Sequence, residues 1–94
     1  MEQLKTIKEL INQGDVAEAI RQLDEYLITD STDRDEAFYL LGNAYRKQGN
    51  WQLALNNYQY AIDLNPDSPA REAYRMATVS YTHLRAHETL ANLV

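Results

Sequence analysis

One residue pattern occurs twice in this chain, and that repetition limits what the chain can fold into more than anything else. Gln13-Gly14-Asp15-Val16-Ala17-Glu18-Ala19-Ile20 returns, 35 residues later, as Gln48-Gly49-Asn50-Trp51-Gln52-Leu53-Ala54-Leu55. Both versions read Gln-Gly, a small polar residue, an apolar residue, two spacers, then alanine and an aliphatic. A period near 34 marks an array of paired helices, in which no unit buries its apolar side alone and neighbours must stack. With only 3 glycines and 2 prolines among 94 residues, there are too few turn residues for a set of short strands joined by tight turns.

The apolar spacing agrees with helices. Leu4, Ile7, Leu10 and Ile11 recur at three and four. Gly14 ends that run, because glycine takes the left-handed conformation of a helix C-terminus. Asp15 is a candidate N-cap for a second helix carrying Ala19, Ile20, Leu23, Tyr26 and Leu27. Thr29 to Asp33 reads as a polar connector. A third helix starts near Asp35 and buries Phe38, Leu41, Gly42 and Tyr45. Gly49 stops it, and Asn50 caps a fourth helix that buries Trp51, Ala54, Leu55, Tyr58, Ala61 and Ile62. Asn65-Pro66 ends the fourth, since a residue before proline is pushed out of the helical region. Ser68-Pro69 then starts a fifth, with serine as cap and proline in the first turn.

The second unit resembles the tetratricopeptide repeat. Phe38, Leu41-Gly42, Tyr45, Ala54, Tyr58, Ala61 and Pro66 stand at that family's spacing if the unit begins at Asp35. The sizes make physical sense. Gly42 and Ala54 are small where the two helices of a unit approach, Phe38, Tyr45 and Tyr58 fill wider gaps, and Ala61 is small where the next unit packs. The first unit is a degraded copy, with Lys8 at the glycine position and Ile11 at the tyrosine position. The fold expected is all-α: antiparallel helix pairs stacked as a short right-handed solenoid of about five helices. The units expected are 1–34, 35–68 and the start of a third at 69–78. The match to small bacterial repeat proteins suggests a bacterial source.

From residue 79 the repeat logic stops. Val79-Ser80-Tyr81-Thr82-His83-Leu84-Arg85-Ala86-His87-Glu88-Thr89 resembles the translation of a transposase adapter used in sequencing libraries. Residues 79–94 are therefore expected to be a non-native tail of helix-tolerant composition.

Several function classes drop out. The chain has no cysteine, which excludes disulfides, thiolate metal sites and a cysteine nucleophile. A net charge of -5 opposes nucleic acid and anionic membranes. No apolar run approaches the roughly 20 residues of a membrane span. Met1-Glu2-Gln3-Leu4-Lys5 has no basic stretch leading into an apolar one, so no secretory leader and a cytoplasmic location are expected. His83 and His87 are four apart, as zinc ligands often are, but lack a third ligand and fall in the tail. Asp30, Asp33, Asp35 and Glu36 crowd the connector without the glycine and glutamate of a calcium loop, and are read as helix caps and dipole partners. Ser31, Ser68 and Ser80 have no histidine partner outside the tail. No glycine-rich phosphate loop is present. The seven tyrosines could suggest a stacking platform for single strands, but core positions account for them better. No catalysis, cofactor or metal is expected.

What remains is a surface for protein. In the family, the first helix of each unit lines a groove. That resemblance implies a lining of Glu36, Tyr39, Leu40, Asn43, Arg46 and Lys47 in the second unit, and Glu2, Lys5, Glu9, Asn12 and Gln13 in the first. Tyr39 and Leu40 would anchor an apolar group, while Asn43, Arg46 and Lys47 would grip a peptide backbone or a carboxylate. The family's clamp for chaperone C-termini is absent, because Glu9 and Leu40 stand where its two asparagines should be. The function expected is an interaction module that presents a groove to a peptide or partner helix. The alternative is part of a longer scaffold, or a structural repeat that self-associates through the uncovered edge of its last helix and has no peptide of its own.

Overall fold

The computed structural model describes residues 2–29 and 32–80. Asp30, Ser31, the side chain of Glu2 and residues 81–94, with His83 and His87, lie outside the described residues, as does most of the adapter-like string. Among the described residues the chain is all-α. Helices α1 (Glu2–Gln13), α2 (Val16–Thr29), α3 (Arg34–Lys47) and α4 (Trp51–Leu64) follow in order. Residues 70–80 are helical and form α5. None of the described helices is long and apolar enough to cross a membrane.

The two copies of the repeated string build the same turn twice. Gly14 and Gly49 have φ of 95° and 80°. The amide of Asp15 bonds the carbonyl of Leu10, and that of Asn50 bonds the carbonyl of Tyr45, each at 2.9 Å. This pattern closes the last carbonyls of a helix and needs a residue with positive φ, which glycine supplies at no steric cost. Such short turns force α1 against α2 and α3 against α4 as antiparallel hairpins. At the start of α4 the Asn50 side chain accepts from the amide of Leu53 at 3.3 Å, and at the start of α5 the buried Ser68 hydroxyl accepts from the amide of Ala70 at 3.0 Å. Both caps stand where the sequence places them. The start of α3 departs from expectation. Its cap residue, Asp33, has φ of 50° and makes no side-chain cap bond. Its carboxylate is left out of the helix end, so capping does not explain that part of the acidic cluster.

Two clusters make the core. Leu4, Ile7 and Ile11 meet Ala19, Leu23 and Tyr26 and one face of α3. Ala54, Tyr58 and Ala61 meet Ala70 and Ala77 of α5. Phe38, Tyr39 and Tyr45 pack against both clusters, so the core runs on across the repeat boundary. The connector is tied down as well: the Tyr26 hydroxyl donates to the carbonyl of Thr32 at 2.9 Å, and Arg34 donates to the carbonyl of Leu27 at 2.8 Å.

Gly42 is required for a reason other than its backbone. A Cβ built there would clash with the Cδ1–Cε1 edge of the Tyr58 ring, well within van der Waals contact. Tyr58 is fully buried, so the ring has little room to retreat. Gly42→Ala should therefore incur an overpacking cost of about 1–3 kcal/mol, offset by roughly 1 kcal/mol of better helix propensity. A net loss in thermal midpoint is expected, and a variant as stable as the parent would show that the ring moves freely.

Candidate functional site

α1 and α3, the first helices of the two pairs, and α5 converge on a trough made of two adjoining pockets. One, of 370 Å³, is lined by Lys8 of α1, by Asp33, Asp35, Glu36 and Tyr39 at the start of α3, and by Ser68 and Pro69. The other, of 290 Å³, lies further along α3, between Tyr39, Asn43 and Arg46 on one side and Pro69, Glu72, Ala73 and Met76 on the other. Tyr39 and Pro69 belong to both. The trough thus follows α3 from its acidic first turn to its basic last turn.

Helical geometry decides which residues reach it. Side chains three, four and seven apart share a face. Glu36, Tyr39, Asn43 and Arg46 form one such row and line the trough. Ala37, Leu40, Leu41 and Ala44 form the next row, and all four are buried in the core. Leu40 is therefore a correction to the lining expected from the sequence: it is only 3% exposed and belongs to the core. Lys5, Glu9, Asn12, Gln13 and Lys47 are exposed but line neither pocket.

Asn43 is held by the core behind it. The Tyr58 hydroxyl donates to the amide oxygen of Asn43 at 2.5 Å, which leaves the amide NH₂ as the half free to donate into the trough. Tyr58 also sets Tyr39, whose ring packs against it at 6.1 Å between centroids and a 40° tilt. At the trough's acidic end, the Asn65 amide donates to Asp35 at 3.0 Å and so fixes the end of α4 to the start of α3. Across the trough, Arg75 holds Glu72 at 2.5 Å, and that hydrogen bond keeps the Glu72 carboxyl below the usual carboxylate range. Among the described residues no three His, Cys, Asp or Glu side chains come together to hold a metal.

The family model of the tetratricopeptide repeat matches residues 35–68. A solution NMR structure of the Bacteroides fragilis protein BF1650 is similar, with 60% identity and a TM-score of 0.84 over 88% of this chain and 84% of that one. The chain belongs to the tetratricopeptide repeat family. It is also 41% identical over 61 residues to the photosystem I assembly protein Ycf3 of Synechococcus sp. (strain CC9902), and 36% identical over 61 residues to its namesake in Prochlorococcus marinus (strain MIT 9303). Each alignment takes in 63% of this chain but 35% of the relative. The chain therefore spans about a third of the length of those curated relatives.

As a tetratricopeptide repeat protein, the chain has a trough wider than its sequence suggests. Lys8 is hidden in the sequence by its place at the family's glycine position in the degraded first unit. The α5 wall is hidden by a slip in the period. A shift of 36 sets Ala73-Tyr74 on Ala37-Phe38 and Ala77 on Leu41, and buries Ala77 as Leu41 is buried. The same shift sets Glu72 on Glu36, and both line the trough.

Burial pushes the Tyr58 hydroxyl up to about 12, from an ordinary value near 10. The folded state thus holds this proton more tightly than the unfolded chain does. The associated stability is complete below pH of about 10 and is lost as pH rises toward about 12. In urea titrations across that range, Tyr58→Phe should lose stability less steeply than the parent. Parallel curves would show that Tyr58 ionises as freely folded as unfolded.

Proposed function

We propose that the trough along α3 holds a protein ligand, a peptide or a partner helix, and that the chain works by holding rather than by catalysis. The observation that carries this reading is the convergence of Tyr39, Asn43 and Arg46 on one pocket with Met76 opposite. Tyr39 and Met76 offer apolar contact, the Asn43 amide offers a donor fixed in direction, and Arg46 offers an exposed cation for a carboxylate. Such a mix of an apolar floor and a few placed polar groups suits recognition of a peptide.

The relatives named for photosystem I assembly support a holding role, since assembly is work done on other proteins. The net charge of -5 favours a protein ligand over lipid or nucleic acid, and we place this work in the cytoplasm. The test is affinity capture with the parent chain and with Tyr39→Ala and Arg46→Glu variants. Each variant should lose about tenfold or more in affinity for captured partners, roughly 1.4 kcal/mol. Full retention by both would move the binding surface elsewhere on the molecule.

A further inference from the structure

We infer that the trough selects an extended peptide carrying a basic residue and an acidic residue four or five positions apart, with an apolar residue between them. This rests on the reading of the trough as a peptide-binding surface and adds the chemistry of its ligand.

The charge is divided along the trough. At one end stand the carboxylates of Asp33, Asp35 and Glu36 against the single cation of Lys8. Asp35 is engaged by a neutral amide, which leaves its charge in place. At the other end Arg46 stands opposite Glu72, but Glu72 is already paired with Arg75. The net field is therefore negative at the start of α3 and positive at its end. Complementarity at short range costs a wrong partner far more than it rewards a right one, because like charges set together must be desolvated unpaired.

The spacing follows from helix geometry. Glu36 and Arg46 are ten residues apart on one helix, about 15 Å at 1.5 Å per residue. An extended chain advances about 3.3 Å per residue, so four or five residues cover that span. Between the two ends the floor is Tyr39, with Ala73 and the 56%-exposed Met76 facing it. An apolar side chain in the middle of the ligand would cover these. The free NH₂ of Asn43 meets a peptide carbonyl from the same side. A helix, about 10–12 Å across with its side chains, is too wide to sink into pockets of 370 and 290 Å³.

The test starts from a displayed library of random peptides selected on the parent chain. It continues with fluorescence anisotropy on three synthetic probes, each acetylated, amidated and labelled. One is Ala-Arg-Ala-Leu-Ala-Glu-Ala, and the others replace its Glu by Arg or its Arg by Glu. The expected result is selected peptides with opposite charges flanking an apolar residue. The bipolar probe should bind at least tenfold more tightly than either single-sign probe. Glu36→Arg and Arg46→Glu should each abolish that preference while the circular-dichroism melt stays unchanged. Selected peptides that need Tyr39 but show no charge order would overturn this inference and leave the peptide-binding trough standing. No selected peptide, or selected peptides indifferent to Tyr39→Ala, would overturn both.

Discussion

Tyr58→Ala is expected to destabilise the fold by about 3–5 kcal/mol, the range for removing a large aromatic side chain from a core. Tyr58 has no exposed surface. One edge of its ring fills the space that Gly42 leaves open, beside the ring of Tyr39, and among Ala54, Ala61, Ala70 and Ala77. Those four neighbours are short, so they cannot swing in to fill the void, and a site that cannot collapse sits at the costly end of the range. The hydroxyl adds a smaller contribution. Without it the Asn43 oxygen loses its donor, worth about 0.5–1.5 kcal/mol. Tyr58→Phe should therefore be several times milder than Tyr58→Ala. Small domains hold only about 5–15 kcal/mol in total, so the alanine variant should lose a large share of the fold's stability. Urea unfolding followed by circular dichroism measures both. A Tyr58→Ala loss below about 1 kcal/mol would mean that the second helix pair does not depend on this ring.

The same ring shows how far residue sizes and spacings reach on their own. That Gly42 must be small is legible, since a glycine inside a helix weakens it and makes sense only at a close approach. Its partner is not legible: residue sizes set Gly42 with Ala54 and put Tyr58 in a wider gap, whereas the structure sets Gly42 against the Tyr58 ring. The turns at Gly14 and Gly49 are legible because left-handed backbone selects glycine locally, without help from the rest of the fold. The caps at Asn50 and Ser68 are local as well, and both stand in the structure as their residue types imply. Asp33 is different: its backbone is left-handed and its side chain lines the trough, and nothing in a run of acidic residues distinguishes a cap from a pocket wall. The trough is legible in part. Tyr39, Asn43 and Arg46 are among the residues that the resemblance to the tetratricopeptide repeat puts along a groove, and helical spacing then separates them from Leu40. Lys8 and the α5 wall depend on how the neighbouring helices register against α3, and a two-residue slip in the period is invisible until Ala77 is seen buried.

Leu40→Ala is expected to lower stability by about 2–5 kcal/mol, and this separates two neighbours to which the sequence assigns a single role in the groove. Tyr39 and Leu40 are adjacent, and successive helical residues point about a third of a turn apart. Tyr39 falls on the row with Glu36, Asn43 and Arg46, while Leu40 falls on the row with Ala37, Leu41 and Ala44. Its side chain thus fills the seam between the first helix pair and α3, where every other member of its row except Leu41 is an alanine. Leu40 and Leu41 are the only large side chains that this row of α3 brings to the seam, and removing one leaves a cavity rather than a rearranged contact. The α1–α3 contact belongs to the same seam, so the loss should be shared by the whole fold and appear as one cooperative transition at lower urea. Tyr39→Ala, at the partly open edge of the core, should cost less stability and more binding. The decisive comparison is the ratio of the two effects in each variant. If Leu40→Ala kept the parent's urea midpoint and lost peptide binding instead, Leu40 would belong to the trough after all.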